Sequence, residues 1–114
     1  MEIKLSVAII TYNEEINIAR CLNSIKDIAD EIIIVDSFST DNTQQIANEY
    51  NVNFIKNKFE GHIEQKNFTL KQTKYNYVLS LDADEELSEE LKKEITNIKS
   101  NCQYDAYMFN RLTS

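Results

Sequence analysis

Hydroxyl, amide and carboxylate side chains gather in three short stretches of this chain: Thr11-Tyr12-Asn13-Glu14, Asp36-Ser37-Phe38-Ser39-Thr40-Asp41 and Asp82-Ala83-Asp84-Glu85-Glu86. Carboxylates brought close together repel one another unless a cation neutralises them, and hard oxygen donors of this kind suit Mg²⁺ or Mn²⁺. A divalent metal shared with a phosphate group resolves the repulsion. In an extended turn after a strand, the Asp-Ala-Asp spacing sets Asp82 and Asp84 on one side. One carboxylate then reaches a sugar hydroxyl or the metal while the other reaches the metal. A calcium loop also opens Asp-x-Asp, but its sixth position here is Leu87 instead of Gly and its twelfth is Lys93 instead of Glu, so that reading fails.

Strands must deliver these stretches. Leu5 to Thr11 is a nearly continuous apolar, β-branched run, the pattern of a central parallel strand buried on both faces. Ile18, Cys21, Leu22 and Ile25 recur with helical spacing and define an amphipathic helix ending near Asp27-Ile28. Glu31 to Asp36 is a second buried strand, and the cluster from Ser37 to Thr43 supplies turn and N-cap chemistry for a helix marked by Ile46, Ala47 and Tyr50. Val52 to Ile55 reads as a third strand. A polar loop, Asn57 to Gly61, leads to a helix from about His62 to Thr73 whose apolar members are Ile63, Phe68 and Leu70. Tyr77 to Leu81 is a fourth strand; Ser88 caps a helix with Leu91, Ile95 and Ile98 as its buried stripe, and Asp105 to Asn110 reads as a last strand. Alternation at this spacing predicts an α/β fold, a mostly parallel Rossmann-like sheet with helices on both faces. Ligands of such sheets bind beyond the carboxyl ends of the strands, where the three polar stretches fall.

Composition narrows the field. With 114 residues the chain is expected to form a single domain over 1–114. Nineteen acidic against 12 basic residues give a net charge of −7, which argues against nucleic acid as a partner. One Gly and no Pro leave no room for GxGxxG or a Walker A loop, so a dinucleotide-binding domain or a P-loop NTPase is close to excluded. Cys21 and Cys102 have no metal-ligand spacing and read as small buried hydrophobes in a reducing compartment. No apolar run approaches the roughly 20 residues that span a bilayer, and Met1-Glu2-Ile3-Lys4 leads straight into a strand, so a cytoplasmic location is expected.

Taken in order, Ser6-Val7-Ala8-Ile9-Ile10-Thr11-Tyr12-Asn13-Glu14-Glu15, Ile34-Val35-Asp36-Ser37-Phe38-Ser39-Thr40-Asp41-Asn42-Thr43, Gln65-Lys66-Asn67 and Leu81-Asp82-Ala83-Asp84-Glu85 resemble the family 2 glycosyltransferases of the GT-A, nucleotide-diphospho-sugar transferase fold. The bacterial members that build lipopolysaccharide core and other surface glycans are most similar. The resemblance runs from about Leu5 to Asn110.

It implies a nucleotide site made by Thr11, Tyr12, Asn13, Glu14, Asp36, Ser37, Lys66 and Asp82. In it the residue matching Asp36 accepts a hydrogen bond from the uracil ring nitrogen, Lys66 lies near the donor diphosphate, and Asp82 and Asp84 bind ribose and metal. Asp41 is expected to shape its loop and cap the next helix. The implied activity is inverting transfer from a nucleotide sugar, most simply a UDP-sugar, with Mg²⁺ or Mn²⁺, to a glycan or glycolipid acceptor. Such transfer needs a general base. The family carries it in an acceptor-binding half further along, so the resemblance marks this chain as a truncated donor-binding part, inactive or feebly active alone. Self-association through an uncovered sheet edge, and membrane association only through other parts, are further expectations. Two other readings compete. One is a non-catalytic nucleotide- or protein-binding module of the same fold. The other is a nucleotidyltransferase, disfavoured because Tyr12-Asn13-Glu14-Glu15 lacks a Gly- and Arg-rich loop.

Overall fold

The computed structural model describes residues 4–101, with side chains as far as residue 97. The strand expected over Asp105 to Asn110, Cys102 and the side chain of Ile98 lie outside the described residues. The elements are β1 (Leu5–Thr11), α1 (Ile18–Ile25), β2 (Glu31–Asp36), α2 (Thr43–Ala47), β3 (Asn53–Lys56), α3 (His62–Lys71), β4 (Tyr77–Asp82) and α4 (Glu89–Asn101). The four strands form one sheet in the order β3-β2-β1-β4, every pair parallel. The chain steps outward from β1 to β3 and then returns to the far side of β1. Register places Thr11 opposite Asp36 and Ile10 opposite Asp82, so three polar strand ends reach one rim.

The two faces of the sheet are built differently. Right-handed crossovers along β1, β2 and β3 put α1 and α2 on one face, and the reversal to β4 carries α3 across the other. On the first face Leu5, Val7 and Ile9 pack with Ile18, Leu22 and Ile25 of α1, joined by Leu79 and Leu81 of β4 and Ile95 of α4. Each such side chain contributes about 1.5–3 kcal/mol on burial, so this face holds most of the hydrophobic stabilisation. Ser88 Oγ accepts the Leu91 N–H at 3.2 Å and starts α4, as its position predicts.

Under α3 the packing is polar, and here the sequence reading is corrected. Ile63 is 72% exposed and Leu70 is exposed, while Phe68 is only partly buried; the side chains that α3 buries are Gln65 and Thr69. Thr69 Oγ1 donates to the Gln65 carbonyl at 2.7 Å, which satisfies its buried hydroxyl. A polar buried pair at i and i+4 defeats a reading based on apolar periodicity. Gly61, the single glycine, enters α3 at φ 140°, a conformation other residues rarely adopt.

Candidate functional site

Two loops at the carboxyl rim are laced together by hydrogen bonds. Asn13 has φ 52°, in the left-handed region that Asn tolerates; its N–H donates to Ser39 Oγ at 2.7 Å and its Oδ1 accepts the Thr40 N–H at 2.7 Å. The Glu14 N–H donates to Thr43 Oγ1 at 2.9 Å and the Glu15 N–H to Asp41 Oδ2 at 3.2 Å. Asp41 Oδ1 also accepts the Thr43 N–H and hydroxyl. Desolvation opposes ionisation of Asp41, but these bonds from Thr43 and Glu15 outweigh it and hold its carboxyl below the usual value. Asp36 is 1% exposed, and both its oxygens bind Ser39, Oδ2 through the N–H at 2.7 Å and Oδ1 through the hydroxyl. That turn carries Phe38 at φ 60°, a strained conformation for an aromatic residue.

Beyond these loops opens a pocket of about 480 Å³. Thr11, Tyr12 and Glu14 line its middle, Asp82 and Asp84 its β4 end, and Ser37, Phe59, His62 and Gln65 its opposite end. The ends of β2 and β4 are separated by β1, so the two extremes stand roughly 10 Å apart, two strand spacings. The β4 end is acidic and the other is neutral and part aromatic, with Phe59 and His62 packed edge to face at 5.8 Å. Among the described residues no Lys or Arg lines the pocket.

Two buried polar atoms on this wall, Thr11 Oγ1 and Asp82 Oδ1, have no hydrogen-bond partner among the described residues. A native fold rarely leaves such atoms unsatisfied, and each unmade bond costs about 1–3 kcal/mol. The backbone around Asp82 is, in contrast, fully engaged: its N–H donates to Glu85 Oε1 at 2.7 Å and its carbonyl accepts the Glu85 N–H at 2.9 Å. Arg20 of α1 donates to the Asp84 carbonyl at 3.3 Å and pairs with Glu86 at 3.8 Å, bracing the acidic loop from outside. Burial, reinforced by the charges of Glu85 and Asp84, pushes the Cys21 thiol up to about 12, so it stays protonated and inert.

The sequence profile of glycosyl transferase family 2 matches residues 6–113. The chain belongs to this family. Among curated relatives, an uncharacterized glycosyltransferase of Rickettsia typhi is 45% identical over 105 residues, 92% of this chain and 36% of the relative. The lipopolysaccharide core biosynthesis glycosyltransferase LpsC of Rhizobium meliloti is 35% identical over 81% of this chain and 36% of its own length. Among solved structures, residues 1–349 of Staphylococcus aureus TarS align with TM-score 0.72 and 32% identity over 88% of this chain and 33% of that 1–349 chain, which has also been crystallised with UDP. Glucosyl-3-phosphoglycerate synthase of Mycobacterium tuberculosis, crystallised with Mn²⁺, UDP and glucosyl-3-phosphoglycerate, aligns with TM-score 0.63 and 26% identity over 70% of this chain and 33% of that one. The chain thus spans about a third of the length of these relatives.

In this family 2 glycosyltransferase chain, six of the nine expected site residues line the pocket: Thr11, Tyr12, Glu14, Ser37, Asp82 and Asp84. Tyr12 does so while 56% exposed, an open aromatic face at the rim. Asn13, Asp36 and Lys66 stand off the lining. Asn13 and Asp36 hold the loops, and Lys66 is solvent-exposed on α3. Gln65 and Phe59 line the wall although neither stood out in the sequence as a site residue. Gln65 adjoins Lys66 in the motif, but only its contact with the sheet shows that it faces inward. Phe59 sits within a loop that reads as polar.

Proposed function

We propose that this chain is the donor-binding part of an inverting glycosyltransferase that takes a UDP-sugar together with Mg²⁺ or Mn²⁺ in the assembly of a bacterial surface glycan such as lipopolysaccharide. One observation carries the reading: Asp82, whose buried Oδ1 has no partner among the described residues, lines a pocket whose other acidic lining residues are Glu14 and Asp84. A bare diphosphate would be repelled there, and a divalent cation reverses that sign. The donor set fits, because Asp82 and Asp84 offer hard oxygens. Among the described residues no three His, Cys, Asp or Glu cluster closely enough to hold an ion; a cation held by Asp82 and Asp84 would take its remaining ligands from phosphate and water. When bound, the cation would offset the charge that builds on the departing nucleoside diphosphate.

The chain's own residues bind and orient. Thr11, whose buried Oγ1 also has no partner among the described residues, lines the middle of the pocket, Tyr12 offers an exposed ring, and the neutral end accommodates the nucleoside. UDP complexes of TarS and of the mycobacterial synthase support uridine as the nucleoside, and LpsC supports the glycan class. The acceptor and the base that deprotonates its hydroxyl belong to the remaining two thirds of the relatives' length. Calorimetry with UDP, GDP and CDP, each with and without Mn²⁺, tests the reading. UDP binding that needs Mn²⁺ and is lost in Asp82→Ala is expected; equal silence toward all three nucleotides would overturn it.

A further inference from the structure

At the neutral end of the pocket one buried amide is held from three sides. Gln65 is 1% exposed. Its Oε1 accepts from Asn57 Nδ2 at 2.9 Å, and its Nε2 lies 3.3 Å from the Asn57 carbonyl oxygen and 3.1 Å from Ser37 Oγ. The Asn57 carbonyl can only accept, so the Gln65 atom facing it must be the nitrogen, and the amide cannot flip without setting two acceptors against each other. The same nitrogen therefore donates to Ser37 Oγ. A hydroxyl that accepts from one side keeps its own proton to give elsewhere. Ser37 lines the pocket, and its hydroxyl has no acceptor among the described residues.

We propose that Gln65 is a positioning residue: clamped by Asn57, it turns the Ser37 hydroxyl into a fixed donor toward an acceptor oxygen on the nucleoside half of the ligand. This rests on the nucleotide reading of the pocket and deepens it. Ser37 stands on the β2 side, two strands from Asp82 and Asp84, so the oxygen it meets belongs to base or ribose and not to the diphosphate that the acidic end requires. The clamp also accounts for a polar residue where α3 would ordinarily bury an apolar one. Neither the Ser37 backbone, whose N–H donates to the Thr11 carbonyl at 3.0 Å, nor the α3 backbone, whose Gln65 N–H donates to the Gly61 carbonyl at 3.0 Å, depends on the amide. Its removal therefore leaves the frame in place.

The test is a double-mutant cycle on UDP affinity in Mn²⁺, by calorimetry, with the fold checked by circular dichroism. Ser37→Ala and Gln65→Leu should each weaken UDP about five- to tenfold, the size of one lost neutral hydrogen bond, and the pair should lose no more than either alone. Gln65→Glu supplies a readout that a merely structural role would not move. An ionised carboxylate only accepts and so draws the Ser37 proton away from the pocket: Gln65→Glu should weaken UDP at least as much as Gln65→Leu, and only while the Ser37 hydroxyl is present, the Ser37→Ala/Gln65→Glu pair falling no further than Ser37→Ala. CDP and 2′-deoxy-UDP locate the oxygen: insensitivity of CDP to Ser37→Ala assigns it to the base, insensitivity of 2′-deoxy-UDP to the ribose. Additive losses, or wild-type affinity in Gln65→Leu and Gln65→Glu, would overturn the proposal while leaving the nucleotide site standing. A wild-type chain that binds no nucleotide would take both down.

Discussion

The two ends of the pocket solve opposite problems. At the β4 end Asp82 Oδ1 is buried without a partner among the described residues, while the Asp82 N–H and carbonyl are both bonded to Glu85. At the β2–α3 end Gln65, 1% exposed, has its amide closed by Asn57 and Ser37. An unsatisfied buried carboxylate destabilises the fold until something positive arrives, whereas a saturated amide network stiffens its wall whether or not a ligand is present. One end waits for a charge and the other is set in advance.

The largest effect that separates them is expected from Asp82→Ala. Mn²⁺-dependent affinity for UDP should fall about 100-fold or more, since even outer-shell changes at metal sites cost 10–100-fold. The ligand-free chain should at the same time melt higher, gaining about 1 kcal/mol as an orphaned acceptor disappears. Parallel titrations and thermal scans check both signs, and a lower melting temperature would break the contrast. Next comes the lacing of the loops. Thr43→Val leaves the Glu14 N–H without its acceptor and should cost about 1–2 kcal/mol, read as a lower urea midpoint at unchanged slope. Asp41 adds a smaller, pH-dependent share. Its folded value is depressed, so its stabilisation is present above the ordinary carboxylate value of 3.8 and disappears as pH falls through the lower folded value. Acid unfolding of Asp41→Asn should therefore be flatter in that window. Smallest is Lys66→Ala, in which an exposed, screened charge off the lining should change UDP affinity by less than about threefold.

The acidic end was legible in the sequence because its signals are local. An apolar run ending in Asp82-Ala83-Asp84 needs only strand geometry to bring its carboxylates to a rim, and the structure places both on the pocket wall. Turn chemistry was signalled by the Ser/Thr/Asp/Asn cluster in the same way, and within that loop Asp41 accepts from Thr43. The neutral end was not legible. Gln65 looks like any polar helix residue until α3 is laid on the sheet, and the apolar Ile63 and Leu70 on the same helix point to the wrong face. Asp36, for which the resemblance implies a contact with the base, stands off the lining and accepts on both oxygens from Ser39, three residues on, a bond the sequence did not signal.

Strand positions, helix spacing and the order of polar stretches were determined by the sequence alone, because alternation, periodicity and turn chemistry act over a few neighbouring residues. Which polar atoms close on one another and which stay open was decided only in three dimensions. Ser37 lies 28 residues before Gln65, and only packing of α3 across the sheet brings the two within hydrogen-bond distance, while Thr11 Oγ1 and Asp82 Oδ1 are left without a partner among the described residues.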